Sequence, residues 1–474
     1  MEKFFKLKER KTTVRIEFFA GLTTFMAMAY ILMVNAGMFA DPFGDGSNPL
    51  GVSYGAIYIA TAISAVVGTI LIGLLANLPL AQASGMGLNA FFVYTVCIGL
   101  QFSYANALVL VLADGLIFIL LTVTGLRKMI FEAIPKAVKA AISAGIGLFI
   151  AFLGMQNAGL VVDDGATLVN MHSFNLLGKS TTWAEIMPIL VTVFAVFIIA
   201  ILSKRKVKGA VLWGILGGAV LYYVLGLVTV KGFYDSSVAP NLSADVFGPF
   251  KDFFSQSFTK VFTEGFDFSK YIEANGTWGF IASFATSALA FCMVDMFDTL
   301  GTLYGACSVG NMLDQDGNIP NMEGAMLADA VATTFGSVCG TSTVTTFVES
   351  SAGVAEGGRT GLAAMFTALF FFIAMFLAPV AAMIPGCATA AALIYVGILM
   401  IGGVKDIEWG DPAVAVPAFL TMTMMPFTYN ISYGIAFGLI SYIFIKLCTG
   451  KIKEIKLGTW VIGLLFALMF FVSR

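Results

Sequence analysis

Apolar residues run along this chain in stretches long enough to cross a bilayer, separated by short polar turns. A membrane helix needs about 20 mainly apolar residues. Runs of that kind begin near Phe18, Ala56, Gly85, Tyr104, Ala137, Glu185 and Gly209. A second set begins near Trp278, Gly324, Thr341, Leu362, Ala388, Pro412 and Asn430. The pattern predicts an all-α polytopic membrane protein with 14 transmembrane segments, seven on each side of a long linker over 231–277. An odd number of spans per half makes the second half enter from the opposite face, so seven plus seven is an inverted repeat, a common build of secondary transporters.

Charge placement agrees with this count, because short cytoplasmic loops carry Lys and Arg. With the basic N-terminus "MEKFFKLKERKTTVR" in the cytoplasm, the RK pair at 127–128, "KRKVK" at 204–208, Arg359, Lys405 and "KIKEIK" at 451–456 all fall inside. "DPFGDGSNPLG", which has no Lys or Arg, falls outside. No small-residue cleavage site follows the first run, so it reads as a span and not as a leader. The phenylalanine-rich "FKDFFSQSFTKVF" of the external linker suits a position along the membrane surface. The last run, "LGTWVIGLLFALMFFV", does not fit the parity, and the pattern leaves open whether it spans or lies against the bilayer.

The third run of each half is broken in the same way. "PLAQASGMGLNAFFVYT" and "CGTSTVTTFVESSAGVAEGGRTG" both open with small and hydroxyl residues that weaken a helix. Each is expected to start as a short extended stretch near the midplane and then become a short helix. Irregular backbone at that depth needs protein or a watery cavity to satisfy it, and interrupted segments at matching places in two halves point to a transporter's binding site.

Composition narrows the class. The chain has 474 residues, 59% hydrophobic and only 11% charged, against about a quarter charged in soluble domains. The net charge of −2 offers no field for nucleic acid. Six cysteines lack metal-ligand spacing and read as buried thiols. His172 is the only histidine and lies in a polar connection. No metal, cofactor or enzymatic nucleophile–His pair is therefore expected.

Against this background, acids inside the apolar runs carry the chemistry. Asp295 and Asp298 stand three residues apart in "FCMVDMFDTLGTLYG", on one helix face, and Glu349 follows "TSTVTTFV". No Lys or Arg lies within these segments to neutralise them. Each ionised side chain at mid-membrane costs about 2.5–3.5 kcal/mol on the insertion scale, so these acids must face a cavity, pair or bind protons. Asp295, nearer the middle of its run, is expected to be the ligand, with Asp298 its helper. Asn89 and Phe91 in the first broken segment and Thr345 in the second are further candidate substrate contacts. Asp295 and Glu349 are the candidates for proton coupling. Asp114 and Asp329 read as interhelix hydrogen-bond partners, and Asn35 as a helix-end cap. Carboxylates and an amide suit a neutral, flat ligand rich in N–H donors, such as a nucleobase; an anion would meet Coulomb repulsion.

The segments "EFFAGLTTFMAMAYILMVN", "ASGMGLNAFF", "MVDMFDTLGTLYG" and "GTSTVTTFVESSAGVAEGGRTGL" resemble the signature segments of the AzgA-like purine permeases, a branch of the nucleobase–ascorbate/nucleobase–cation symporter group. The resemblance covers essentially the whole chain. It implies proton-coupled uptake of guanine, hypoxanthine or adenine across the cell membrane. It also implies a core domain (1–127 and 278–385, segments 1–4 and 8–11) that slides as an elevator against a gate domain (128–230 and 386–450, segments 5–7 and 12–14), with 451–474 as a tail. Asn89, Asp295 and Glu349 fall on the family's essential polar positions and Asp298 on one linked to purine recognition. Related folds work as homodimers. One departure is Asn35-Ala36, where the family usually has Asn-Pro. The competing reading is an anion exchanger or channel of the same architecture.

Overall fold

The computed structural model describes residues 2–124, 135–178, 181–230, 233, 245–310, 312–313 and 319–472. The basic pair at 127–128, the expected boundary there and part of the linker lie outside the described residues.

The first half runs α1 (Val14–Met28), α2 (Tyr30–Ala40), α3 (Tyr54–Leu75), β1 (Gln82–Ser84), α4 (Met86–Ala90, continued by a π-helical Phe91–Gly99), α5 (Tyr104–Thr124) and α6 (Lys136–Asn157). A surface hairpin of β2 (Val161–Asp164) and β3 (Leu168–Met171) leads to α7 (Trp183–Lys204) and α8 (Ala210–Thr229). The second half runs α9 (Ser269–Val309), α10 (Met322–Cys339), β4 (Val344–Thr346), α11 (Ser350–Ala355), α12 (Gly361–Ala374), α13 (Gly386–Met400), α14 (Pro412–Thr428), α15 (Ile431–Cys448) and α16 (Leu457–Val472). Among the described residues nine helices are long and apolar enough to cross a membrane, and four more apolar helices are shorter. They lie where the sequence pattern places runs.

Local chemistry sets the ends. Ser53 accepts from the Ala56 N–H at the start of α3, Asp411 caps α14 ahead of Pro412, and Asn430 caps α15. The stretch Ser269–Val309 is two helices joined at Gly276, whose φ of 73° and ψ of 164° only glycine adopts freely.

Two groups of helices emerge from packing. α1, α2, α3, α5, α10 and α12 pack on one another, and so do α6, α7, α8, α13, α14 and α15. With lipid outside, small residues let backbones approach. A Cβ on Gly361 of α12 would sit 2.0 Å from the Gly73 carbonyl oxygen of α3, and one on Gly397 of α13 would sit 2.4 Å from that of Gly147 in α6.

The described part of the linker is fastened to the first group. Ser53 Oγ donates to Asp252 Oδ2 at 2.8 Å, and Asn106 Nδ2 donates to the Gly265 carbonyl at 2.7 Å. Phe253 and Val261 are buried while Phe254, Phe262 and Phe266 face outward, so the phenylalanine-rich stretch is amphipathic. The last apolar run is a helix, α16, lying along α9 and α15, with Phe470 against the rings of Tyr433 and Phe437.

Candidate functional site

Both broken segments open as extended backbone, as their composition implies, and they meet. β1 and β4 pair antiparallel, Gln82 opposite Thr346, Ala83 opposite Thr345 and Ser84 opposite Val344, with every one of these residues buried. The N–H of Gly85 donates to the Thr343 carbonyl and that of Phe347 to the Ala81 carbonyl, both at 3.0 Å. Each irregular segment thus satisfies the other's backbone. Asp329 of α10 ties the crossing together. Its Oδ1 accepts from Gln82 Nε2 at 3.1 Å and from the Thr346 N–H at 3.1 Å, and its Oδ2 from Thr299 Oγ1 of α9 at 2.8 Å.

Beside this crossing lies a cavity of about 740 Å³, within the range that small-molecule sites occupy. Tyr30 of α2, Gly87 of α4, Asp298 of α9 and Glu349 line it, together with Lys139 of α6 and Lys405 after α13. It therefore sits between the two packing groups. A Cβ on Gly87 would lie 2.6 Å from Ile146 Cγ2 of α6, so glycine allows the close approach there. Glu349 directly precedes α11, and its Oε1 accepts from Tyr30 Oη at 2.7 Å. Asp298 Oδ2 lies 3.5 Å from Thr345 Oγ1, and the Asp298 and Glu349 carboxylates are close enough to repel each other. Two acceptor groups in one largely apolar chamber suit a ligand that brings N–H donors.

Residues 15–437 match the Permease family profile. The chain belongs to the Permease family. It is 39% identical to the guanine/hypoxanthine permease PbuG of Bacillus subtilis, over 98% of this chain and 99% of that protein. It is 37% identical to the adenine permease AdeP of Escherichia coli, over 99% of this chain and 95% of that one. These relatives bear out the family that the signature segments resemble. Among solved structures, the transmembrane domain of the cyanobacterial bicarbonate transporter BicA matches with a TM-score of 0.55 at 16% identity, covering 95% of this chain and 97% of that one. That likeness concerns the fold alone. A permease with these apolar helices is a multi-pass membrane protein.

The permease brings only some of the expected residues to the cavity. Glu349 and Asp298 line it, and Thr345 touches Asp298 from behind. Asp295 does not line it: the side chain is fully buried one turn away, with Oδ2 3.3 Å from Thr333 Oγ1 and Oδ1 without a hydrogen-bond partner among the described residues. Asn89 is buried next to β1, its Nδ2 3.4 Å from the Ser84 carbonyl and its Oδ1 without a hydrogen-bond partner among the described residues. Phe91 packs edge-on against Phe291 at 4.8 Å, inside the helix core.

Other expectations divide. Asp329 is an interhelix hydrogen-bond partner, as expected, whereas Asp114 is buried with neither oxygen bonded among the described residues. Asn35 is not a helix-end cap. It sits inside α2, where its Nδ2 donates to Thr61 Oγ1 at 2.7 Å and Thr341 Oγ1 at 3.1 Å, and the helix continues through Ala36 to Ala40. Ala36 keeps the N–H that a proline would lack, so nothing there stops the helix. Among the described residues no group of three or more His, Cys, Asp or Glu could hold a metal ion. Tyr30 is the cavity residue that pattern reading missed. Its one signal was a phenolic hydroxyl inside the apolar "MAMAYILMVN", which must find a partner when buried.

Proposed function

We propose that this permease takes up purine nucleobases, guanine or hypoxanthine before adenine, together with protons. One observation carries the reading: Asp298 of α9 and Glu349, just after β4, line one cavity with ample room for a purine, in a chain whose full-length relatives are named adenine and guanine/hypoxanthine permeases. Glu349 accepts two adjacent N–H groups of the base edge through its free oxygen and the far lone pair of Oε1. Asp298, backed by Thr345, accepts a third. Asn89 and Phe91 support the floor of the site from below. Asp295, one turn from Asp298 and screened from the cavity, or Glu349 itself, holds the coupled proton.

In this reading the 14 segments form the 7+7 inverted repeat, with the N-terminus in the cytoplasm and the protein in the cell membrane. The first packing group with α9 and the crossing is the core domain, and the second is the gate. Lys139 and Lys405 then mark a cavity mouth on the cytoplasmic side, so the site faces inward. The core carries the base across by sliding along the gate, in a homodimer. An anion beside Asp298 and Glu349 meets like charge in a low dielectric, which favours a donor-rich base; Lys139 and Lys405 line the same cavity, so bicarbonate and sulfate are the competitors that test the anion-exchange reading.

The test is uptake of radiolabelled guanine into proteoliposomes, with and without an inward proton gradient, competed with each base and with bicarbonate and sulfate. Saturable uptake driven by the gradient and blocked by purines supports the proposal. Competition by bicarbonate with no response to acid overturns it.

A further inference from the structure

We propose that Tyr30 is a positioning residue for the purine site: its hydroxyl holds Glu349 in the one orientation that presents a free carboxylate oxygen to the base. The inference rests on the reading of Glu349 as the purine-binding acid.

The geometry is specific. Tyr30 lies 319 positions from Glu349 in sequence and is fully buried, yet it reaches the cavity with its hydroxyl, 2.7 Å from Glu349 Oε1. Ala29, between α1 and α2, keeps a helical φ of −55° and ψ of −25°, so Tyr30 is held within one continuous span, Val14–Ala40. Glu349 is the N-cap of α11: its carbonyl accepts from the Ala352 N–H at 3.0 Å, which fixes the backbone, while its side chain makes no cap bond to the helix. A glutamate has three side-chain torsions to order, and ordering them on binding would cost affinity. A phenol donating to one oxygen removes that cost and also favours the ionised acceptor that the base needs. The charged or titratable groups facing Glu349 from the surrounding elements are Tyr30 on α2, Asp298 on α9, Lys139 on α6 and Lys405 after α13. Among the described hydrogen bonds, Tyr30 is the one side-chain donor to this carboxylate.

Four variants decide the matter in proteoliposomes, with guanine uptake followed from pH 5 to 8 and the folded fraction checked by size-exclusion profile. In Tyr30→Phe the KM rises about tenfold, the loss expected for one hydrogen bond to a charged group, while Vmax stays near normal. The acid limb of its KM profile moves to higher pH. Replacement of Tyr30 by 3-fluorotyrosine, almost unchanged in shape but a stronger donor, moves that limb to lower pH and guards against a folding artefact in Tyr30→Phe. Adding Tyr30→Phe to Glu349→Gln lowers the residual guanine uptake no further, because the tyrosine acts only through the glutamate. A wild-type KM and acid limb in both tyrosine variants, alongside an inactive Glu349→Gln, overturns the role of Tyr30 alone. Normal uptake by Glu349→Gln sinks the underlying reading of the site.

Discussion

The permease holds two sets of acids in its apolar interior, and they differ in what reaches them. Asp298 and Glu349 open onto the cavity, each with a hydroxyl partner on one side and space on the other. Asp295, Asp329 and Asp114 are fully buried a short distance away. Asp329 spends its oxygens on three segments at once. Asp114 and one oxygen of Asp295 have no partner among the described residues. The same side chain at similar depth thus serves as ligand, as structural tie or as neither, and access with hydrogen bonding decides which.

The largest effect belongs to the cavity set. Glu349→Gln replaces an acceptor-only group by one that presents donors to the N–H edge of the base. Hydrogen bonds to charged groups are worth about 1.5–3 kcal/mol each, so losing two cuts guanine uptake by at least about 100-fold. The protein should still reach the membrane in normal amount, because the amide oxygen of the glutamine can still accept from Tyr30 Oη. Wild-type accumulation in this variant would erase the distinction between the two sets.

Next comes the structural tie. Asp329→Ala strands the Thr346 N–H and Thr299 Oγ1 in a dry site and leaves Gln82 Nε2 with Thr346 Oγ1, at 3.2 Å, as its acceptor. Each orphaned group costs roughly 1–3 kcal/mol, so destabilisation of about 2 kcal/mol or more is expected. It is read as a lower melting temperature of the purified protein and less of it in the membrane. If Asp329→Ala keeps its melting temperature and loses only transport, Asp329 belongs with the ligands and the comparison fails.

How far the sequence reaches can be judged from these residues. The apolar runs, the two broken segments and the presence of acids among them were all legible, because length, glycine and hydroxyl content and isolated charge are local signals. The pairing of β1 with β4 follows from the need of exposed backbone for partners. The facing of Asp295 and Asp298 was not legible. An i, i+3 spacing puts both on one helix face, but the rotation of α9 about its axis is fixed by packing against α5, α11 and β4 and by hydrogen bonds to Thr333 of α10 and Thr345 of β4. Position within the run favoured Asp295, and tertiary packing favoured Asp298. Asn35 misled for a similar reason: its amide finds Thr61 and Thr341 on other elements, partners that no local pattern reveals.

Asp295 sharpens the comparison from the other side. Its position behind the cavity predicts that Asp295→Asn leaves the guanine KM within about threefold of normal, since no direct contact is lost. If Asp295 holds the coupled proton, the variant exchanges guanine across the membrane yet no longer concentrates it under an inward proton gradient. Counterflow and gradient-driven uptake measured on the same vesicles separate the two. A large rise in KM would move Asp295 into the ligand set.

Asp114 should matter least, and for a stated reason. It is buried on α5 beside α10, and the carboxylates of Asp329 and Asp295 are near enough to repel it. The α5 and α10 backbones are in close approach at that point, where a Cβ on Gly115 would lie 2.8 Å from the Thr334 N. The two helices therefore hold together through packing, without a hydrogen bond from Asp114. Asp114→Asn keeps the volume and removes an acid that has no described donor to lose. Melting temperature and guanine uptake should both stay within experimental scatter, or the melting temperature should rise by a degree or two as the like-charge contact is relieved. Loss of gradient-driven uptake in Asp114→Asn would show that the buried acids act together on the proton, and that hydrogen bonding alone does not sort one kind from the other.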